Sequence, residues 1–277
     1  MTERYMVEPG KRVKLAGLDP SDTMGVRREE AEKHMAEDLE RLAKQQELLY
    51  VSGANAVLVV LQGTDTSGKD GTIRHVFRGV SPLGCRAVGF GVPSEEELSH
   101  DYLWRIHKQC PARGTVTIFN RSHYESLLVE WVHGIVDEAR VRERYDEVNR
   151  FERMLTREGT IILKFLLHIS KDEQEERLQE RMCEPEKNWK VNPGDWEDRE
   201  RWDEFQRAYE EMLHRTSTEW APWTVVPSDR KWFRNYVVAH HITEALSAYE
   251  DEWHKALRAR GDEQMAALRE RFPDNTR

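Results

Sequence analysis

A glycine-rich segment directly follows a short apolar run, and this pairing constrains the fold more than any other feature of the chain. Residues 56–62 read AVLVVLQ and residues 63–71 read GTDTSGKDG. A β-branched run of this length is typical of a strand buried in a parallel sheet. The glycines and Lys69 match the first seven positions of the phosphate-loop (Walker A) pattern G-x-x-x-x-G-K-[ST]. The sequence therefore predicts a P-loop α/β fold.

The chemistry of such a loop needs backbone N–H groups that turn inward toward phosphate oxygens, at the N-terminus of a helix predicted here at 71–77. Lys69 supplies a mobile positive charge. The pattern then breaks, because Asp70 stands where most P-loop enzymes have a Mg²⁺-binding Ser or Thr. Asp65 is therefore the expected oxygen ligand of the metal. The residues of this segment predicted to bind phosphate or nucleotide, besides Lys69, are Gly63, Thr66, Ser67, Gly68, Asp70, Gly71 and Arg74.

Further apolar runs follow, and helical patterns separate them. These runs lie at residues 86–90, 115–120, 160–169 and 223–227. Strands that alternate with helices are typical of a parallel sheet covered on both faces. We therefore expect a doubly wound five-stranded parallel sheet flanked by helices, in one P-loop kinase domain. Its expected parts are an N-terminal extension and helix at 1–50, with 1–26 wrapping the surface, a catalytic core at 51–250 and a helical tail at 251–277.

A second motif, FNRSHYE at residues 119–125, stands at the predicted end of the third strand. Ligands bind at the carboxyl ends of the strands in open α/β sheets. Asn120 takes the place where a Walker B aspartate is usual, and we expect its carbonyl to face a metal or a metal-bound water. Arg121 is expected to clamp a phosphate. Ser122 and Glu125 also fit a helix-capping box, so Glu125 is either a cap residue or a carboxylate that faces substrate.

A group of basic residues follows the fourth strand. Arg177 and Arg181 are four residues apart and share one helix face. Residues 182–202 contain two prolines, a Pro-Gly turn and three tryptophans, which indicates an ordered excursion between two helices. We expect a lid at about residues 177–205, although a solvated helix face is the alternative. The basic residues predicted to bind phosphate in this region are Arg177, Arg181, Lys190 and Arg199.

The composition limits the partners. The chain has 277 residues and a net charge of −9, which argues against general nucleic-acid binding and permits a local basic channel. Its apolar runs are far shorter than the ~20 residues of a membrane helix, and the N-terminus lacks the apolar core of a signal peptide. We therefore expect neither a nucleic acid nor a membrane as a partner. Three cysteines, Cys85, Cys110 and Cys183, indicate free thiols in a reducing cytoplasm.

Taken together, the motifs resemble the polyphosphate kinase 2 family. The resemblance rests on GTDTSGKDG, FNRSHYESLLVEWVH, ELSHDYLWRIHKQCP, APWTVVPSDRKWFR, the opening VEPGKRVKL and the stretch that runs from ERMCEPEK to AYEEML. It covers roughly residues 5–250. The form FNRSHYE, with Asn120 where other branches carry aspartate, resembles the class III branch of that family.

The resemblance implies a thymidylate-kinase-like core with a helical lid. It implies transfer of phosphoryl groups between inorganic polyphosphate and AMP or ADP, which yields ADP and ATP. It also implies Mg²⁺ dependence, with Mn²⁺ as an alternative, and a homodimer or homotetramer. Asp65 and Lys69 match the loop residues of the family, Arg121 matches the arginine of its second motif, and Glu125 matches a glutamate near the acceptor nucleotide. The residues that match basic lid positions are Arg181, Lys190 and Arg199.

Two other functions remain open on the sequence. One is an ATP-dependent nucleoside monophosphate kinase on the same fold, and the other is a nucleotide-dependent switch without turnover. The basic lid residues favour a kinase over a switch. The expected in-line transfer requires no general base, because an acceptor phosphate is already ionised.

Overall fold

A computed structural model describes residues 2–272 and shows a sheet between two layers of helices. The strands are β1 (Met6–Val7), β2 (Ala56–Gln62), β3 (Cys85–Gly89), β4 (Val116–Asn120), β5 (Thr160–His168) and β6 (Trp223–Pro227). The helices are α1 (Arg28–Ser52), α2 (Lys69–Val76), α3 (Glu95–Leu98), α4 (Trp104–His107), α5 (Glu125–Val132), α6 (Glu138–Arg157), α7 (Lys171–Cys183), α8 (Pro193–Glu200), α9 (Trp202–Thr216), α10 (Lys231–Ser247) and α11 (Glu250–Arg271). Short 3-10 helices lie at Thr2–Tyr5, Leu15–Gly17 and Pro185–Lys190.

The strand order is β1-β6-β5-β2-β4-β3, and β2 lies in the middle of the sheet. Every residue of β2 is buried. Its side chains alternate between two apolar clusters, with Leu58 and Val60 facing α5, α6 and α9, and Val57, Val59 and Leu61 facing α1 and α10. A strand covered on both faces needs apolar residues at every position. This double coverage explains why β2 was recognisable as one continuous apolar run.

The predicted α/β class and the five parallel strands are confirmed, and a sixth strand was missed. Met6 and Val7 pair with Thr224 and Trp223 in antiparallel register at the edge of the sheet. Two residues are too few to give a periodic signal, and the sequence analysis assigned them to a surface segment. None of the helices described between residues 2 and 272 is long and apolar enough to cross a membrane.

The topology brings the two predicted motifs together at one edge of the sheet. Leu61 in β2 lies opposite Asn120 in β4, so the loop after β2 and the turn after β4 begin side by side. The segment that follows β5 folds as α7, a 3-10 helix, α8 and α9. The ordered excursion predicted for residues 182–202 is therefore confirmed, and its residues line the same cleft as the loop.

Candidate active site

The phosphate loop, residues 63–69, joins the end of β2 to the start of α2. Gly63 has a φ of +146° and Gly68 a φ of +102°, and the loop also holds Thr66 at a φ of +64°. A Cβ at Gly63 would lie 2.6 Å from the carbonyl oxygen of Leu167, and a Cβ at Gly68 would lie 1.7 Å from Nη1 of Arg234. Both the backbone conformation and the space therefore require glycine at positions 63 and 68.

Lys69 is the first residue of α2 and is largely buried. Its Nζ donates to the carbonyl oxygens of Gly63 at 2.7 Å and Thr64 at 3.0 Å. Burial and the positive charge of Arg121 lower the pKa of Lys69 to about 8. An anion bound at the loop would favour the protonated ammonium, since a nearby opposite charge stabilises the charged form.

Arg121 lies between two carboxylates at the end of β4. Its backbone has a φ of +62°, which turns the chain sharply after the strand. Nη2 lies 2.5 Å from Oδ1 of Asp65, and Nη1 lies 3.1 Å from Oε2 of Glu125. Burial alone would lower the pKa of Arg121, but Glu125 and Asp65 raise it. The guanidinium is therefore held rigidly beside the phosphate loop.

The capping box predicted at Ser122 and Glu125 is wrong. The Ser122 hydroxyl accepts from the backbone N–H of Tyr124 at 3.2 Å, and α5 begins at Glu125 without a side-chain cap. The Gln62 amide nitrogen lies 3.0 Å from Oε1 of Glu125 when its amide is oriented to satisfy both Ser122 and Glu125. Glu125 therefore contacts Arg121, which lines the cleft, and Gln62, which is fully buried, while Glu125 itself is outside the cleft lining.

Asp70 connects three elements of the site. It accepts from the Asn120 side-chain amide at 2.6 Å and from Nζ of Lys190 at 3.0 Å. Lys190 belongs to the 3-10 helix beyond α7, so this contact joins the predicted lid to the phosphate loop. The amide nitrogen of Asn120 faces Asp70, and its carbonyl oxygen is the atom that the predicted metal contact would use.

The other predicted lid residues have different surroundings. Arg181 pairs with Asp195 at 2.9 Å, and both line the cleft. Arg177 lines the cleft, but its guanidinium donates to the carbonyl oxygens of Thr66, Ser228 and Asp229. Arg199 contacts α7 and is outside the cleft lining. The phosphate-binding roles predicted for Arg177 and Arg199 stay predictions that these contacts do not favour.

The cleft has a volume of about 1150 Å³, and its lining holds basic residues that the sequence analysis did not assign to it. These are Arg28, Arg78, Lys187, Lys231 and Arg234. Arg78 follows Arg74 by four residues shortly after the phosphate loop. That spacing could have indicated that both arginines lie on the same side of the chain and line the cleft. The positions of Arg28 and Arg234, on α1 and α10, depend on contacts that are distant in the chain.

Asp195 is an acidic residue of the cleft lining that the sequence did not single out. It is buried on α8, where burial and the negative charge of Asp65 raise its pKa to about 6. The nearby guanidinium of Arg181 opposes that shift. A buried carboxyl with a raised pKa that lines the same cleft as the loop is a candidate functional residue.

The oxygen ligands fit a divalent cation. Oδ1 of Asp65 bonds Arg121, and Oδ2 makes no hydrogen bond to any residue between 2 and 272. The carbonyl of Asn120 lies at the same sheet edge. Magnesium in phosphoryl-transfer sites is typically held by one or two protein oxygens together with substrate phosphates and waters. Asp65 and Asn120 supply a ligand set of that kind.

A family model, two relatives and a crystal structure that resemble this chain agree with one another. Residues 25–254 match the family model described as Polyphosphate kinase 2. An AMP/ADP-polyphosphate phosphotransferase of Meiothermus ruber is 52% identical over 246 residues, which cover 88% of this chain and 92% of that protein. An ADP-polyphosphate phosphotransferase of Rhodopseudomonas palustris is 38% identical over 276 residues, with 95% of each chain covered. The crystal structure of Polyphosphate Kinase 2 from Arthrobacter aurescens TC1 superimposes with a TM-score of 0.83 at 41% identity, covering 88% of this chain and 90% of that one.

Proposed function

Because the chain belongs to the polyphosphate kinase 2 family, we propose that it transfers phosphoryl groups between inorganic polyphosphate and a nucleotide. The expected products are ADP from AMP and ATP from ADP. The observation that carries this proposal is a phosphate loop with Asp70 in place of the usual hydroxyl, set beside Arg121 and under a cleft lined with basic residues. The matched relative from Meiothermus ruber bears the name of the same reaction on both AMP and ADP.

The residues of the loop bind and orient the transferred group. In-line phosphoryl transfer asks the protein mainly for positioning and for cancellation of negative charge. The loop amides and Lys69 grip the phosphoryl group, and Arg121 neutralises charge that develops on it. Asp65 and Asn120 would hold a divalent cation, which we propose is Mg²⁺ with Mn²⁺ as an alternative, and the cation would supply charge stabilisation to the phosphates.

The ion pairs of Arg121 suit such a role. In the structure its charge is balanced by Asp65 on one side and Glu125 on the other. Arg121 would exchange its contact with Asp65 for a phosphate, whose geometry matches a planar fork of N–H donors, and Asp65 would then be available to hold a cation. Arg181 and Lys190, from the lid, would hold the remaining phosphates of the chain.

Glu125 lies where it can influence the choice of acceptor. Its carboxylate is mostly buried at the sheet edge, next to Arg121. We propose that Glu125 faces the acceptor nucleotide, as the family resemblance implies. A negative charge there disfavours the more highly charged ADP relative to AMP, since like charges repel strongly where water is scarce.

We also propose a homodimer or homotetramer and a cytoplasmic location. Cys85, Cys110 and Cys183 are free thiols in the structure, which fits a reducing compartment. Nucleotides and polyphosphate are the proposed small-molecule partners.

The experiment pairs each donor with each acceptor. Purified protein is given polyphosphate or ATP as donor, AMP or ADP as acceptor, and Mg²⁺, Mn²⁺ or a chelator. We expect ADP and then ATP from polyphosphate and AMP, and no product with the chelator. Lys69→Ala should lose activity, while Lys44→Ala, an exposed lysine on α1, should keep it. Turnover with ATP alone as donor would favour an ordinary nucleoside monophosphate kinase.

A further inference from the structure

Arg234 lies against the inner side of the phosphate loop. It belongs to the first turn of α10 and is 2% exposed. Its Nη1 donates to the carbonyl oxygen of Ser67 at 3.2 Å. A Cβ at Gly68 would lie 1.7 Å from Nη1, and a Cβ at Gly71 would lie 3.2 Å from Nη2. The guanidinium therefore occupies the space that these two glycines leave open.

The charge of Arg234 has no counter-ion among residues 2–272. Nε and Nη2 donate to Oδ1 of Asn235, a neutral amide, at 3.1 Å and 2.8 Å. Across residues 2–272, no carboxylate oxygen lies within 4.0 Å of this guanidinium. The charged group that acts on it is another arginine, Arg177. Burial and Arg177 together lower the pKa of Arg234 to about 9.

The location of Arg234 near the start of α2 further raises the free energy of its buried charge. α2 begins at Lys69, and the N-terminal end of a helix carries partial positive charge. Buried charges in proteins are normally paired, because removing an ion from water is expensive. Arg234 lines the same cleft as Lys69 and Asp65. A phosphate chain bound at the loop would supply the missing negative charge.

We propose that Arg234 is a positioning residue of the phosphate loop, whose buried charge is balanced by the bound phosphate chain. Its hydrogen bond fixes the carbonyl oxygen of Ser67 on Arg234. The neighbouring backbone amides of the loop then stay available to bind phosphate. Its fixed charge adds to the attraction for an anion at the loop. This inference rests on the proposed function, because it assumes that a polyphosphate chain occupies the loop.

Two substitutions separate the charge from the packing. Arg234→Gln removes the charge and keeps a hydrogen-bonding side chain. Asn235→Asp keeps Arg234 and places a carboxylate where Oδ1 already accepts two hydrogen bonds. Asn235→Asp should therefore raise the thermal stability of the ligand-free protein, since it gives Arg234 an internal counter-ion. Arg142→Gln is the control, because Arg142 is an exposed arginine on α6 outside the cleft lining.

The measurement is the dissociation constant of inorganic tripolyphosphate, by calorimetry in the presence of a chelator, with AMP binding as a parallel readout. Wild type and Arg142→Gln should bind tripolyphosphate equally. Arg234→Gln and Asn235→Asp should each bind at least about tenfold more weakly, the usual effect of losing one charged partner. AMP affinity should change little in every variant.

The outcomes distinguish the two proposals. Unchanged tripolyphosphate affinity in Arg234→Gln would overturn the role of Arg234 while leaving the proposed function intact. If Arg234→Gln does not fold, Asn235→Asp decides, and unchanged stability with unchanged affinity in that variant would overturn the role. Wild-type protein that binds no tripolyphosphate, either with the chelator or with Mg²⁺, would overturn the proposed function, and this inference with it.

Discussion

Asp65 has two expected partners, the guanidinium of Arg121 and a divalent cation. Its contact with Arg121 survives in Asp65→Asn as a weaker hydrogen bond, but an amide is a poorer ligand for Mg²⁺ than a carboxylate. We expect Asp65→Asn to lower turnover by about 10²-fold or more at limiting Mg²⁺, because a lost metal contact in the transition state is worth several kcal/mol. The measurement is a Mg²⁺ titration of the initial rate.

Asp146→Asn is the matched control for this titration. Asp146 is exposed on α6 and outside the cleft lining, so its Mg²⁺ dependence should equal that of wild type. Near-normal turnover of Asp65→Asn at limiting Mg²⁺ would remove Asp65 from the metal site.

Glu125 is the second single residue for which we make a prediction. The absence of a capping box at Ser122 removes the simplest structural explanation of Glu125, and its contacts are with Arg121 and Gln62. Glu125→Gln should raise the preference for ADP over AMP, because the neutral amide no longer repels the additional charge of ADP. The quantity to measure is the ratio of kcat/KM for the two acceptors.

Glu130→Gln is the control for charge removal on the same helix. Glu130 also belongs to α5 and also pairs with an arginine, Arg144 at 2.7 Å, but Arg144 is outside the cleft lining, whereas Arg121, the partner of Glu125, lines the cleft. An unchanged acceptor ratio in Glu125→Gln, or an equal shift in Glu130→Gln, would assign Glu125 to the support of Arg121 alone.

At the scale of elements, a buried polar network holds the turn between β4 and α5. Nζ of Lys164 in β5 donates to Glu152 at 2.7 Å, to the Tyr124 hydroxyl at 2.9 Å and to the carbonyl of Thr216 at 2.7 Å. Glu152 also contacts His123 at 3.1 Å. Lys164 and Glu152 are fully buried. The network thus anchors the two residues that separate Ser122 from Glu125.

We predict that Glu152→Gln lowers the free energy of unfolding by about 3–5 kcal/mol, because it leaves the buried charge of Lys164 without its partner. The double variant Glu152→Gln with Lys164→Met should be less destabilised than Glu152→Gln alone, since it removes that charge as well. Urea unfolding of both proteins measures the difference. A double variant that is less stable than the single one would show that packing, not charge pairing, dominates at this network.

The parallel strands were predictable because both faces of each central strand are covered. Val59 in β2 lies opposite Ile118 and Leu163, and all three are buried. The turn after β4 was not predictable in the same way. Arg121 adopts a left-handed backbone, and α5 then begins at Glu125 rather than after a capping serine. Nothing local in the sequence FNRSHYE signals that conformation.

The same division applies to the candidate site. Lys69 and Asp65 could be predicted, because a contiguous motif carries the loop and its fold is local. Asp195 and Arg234 could not, because they reach the loop from segments more than 100 residues away in the chain. Arg177 is a third case, since its shared helix face with Arg181 predicted phosphate binding but could not predict its hydrogen bonds to the carbonyl oxygens of Thr66 and Ser228.

In the whole molecule, the net charge of the chain is negative, whereas arginines and lysines outnumber acidic residues in the cleft lining. The chain carries a net charge of −9, yet its cleft is lined by many arginines and lysines. This arrangement suits a polyanion of limited length bound at one place, because the overall negative charge discourages general association with polyanions.

A single sheet contributes to both apolar clusters, which is what we expect of one domain. The two apolar clusters lie on opposite faces of the same strands, and N-terminal residues such as Lys14 contact α9 through Glu210. We propose that the chain forms a single kinase domain with the lid as a part of it. α11 is largely exposed after Trp253, and most of it lies beyond residues 25–254, which match the family model.

The proposed function requires that the phosphoryl group passes directly from polyphosphate to the nucleotide. The most direct test uses ³²P-labelled polyphosphate, unlabelled AMP, Mg²⁺ and purified protein, with Lys69→Ala as the inactive control. We expect label first in the β-phosphate of ADP and then in the β- and γ-phosphates of ATP, and no labelled nucleotide with Lys69→Ala. Label that appears only in inorganic phosphate, with no labelled nucleotide, would overturn the proposed phosphoryl transfer.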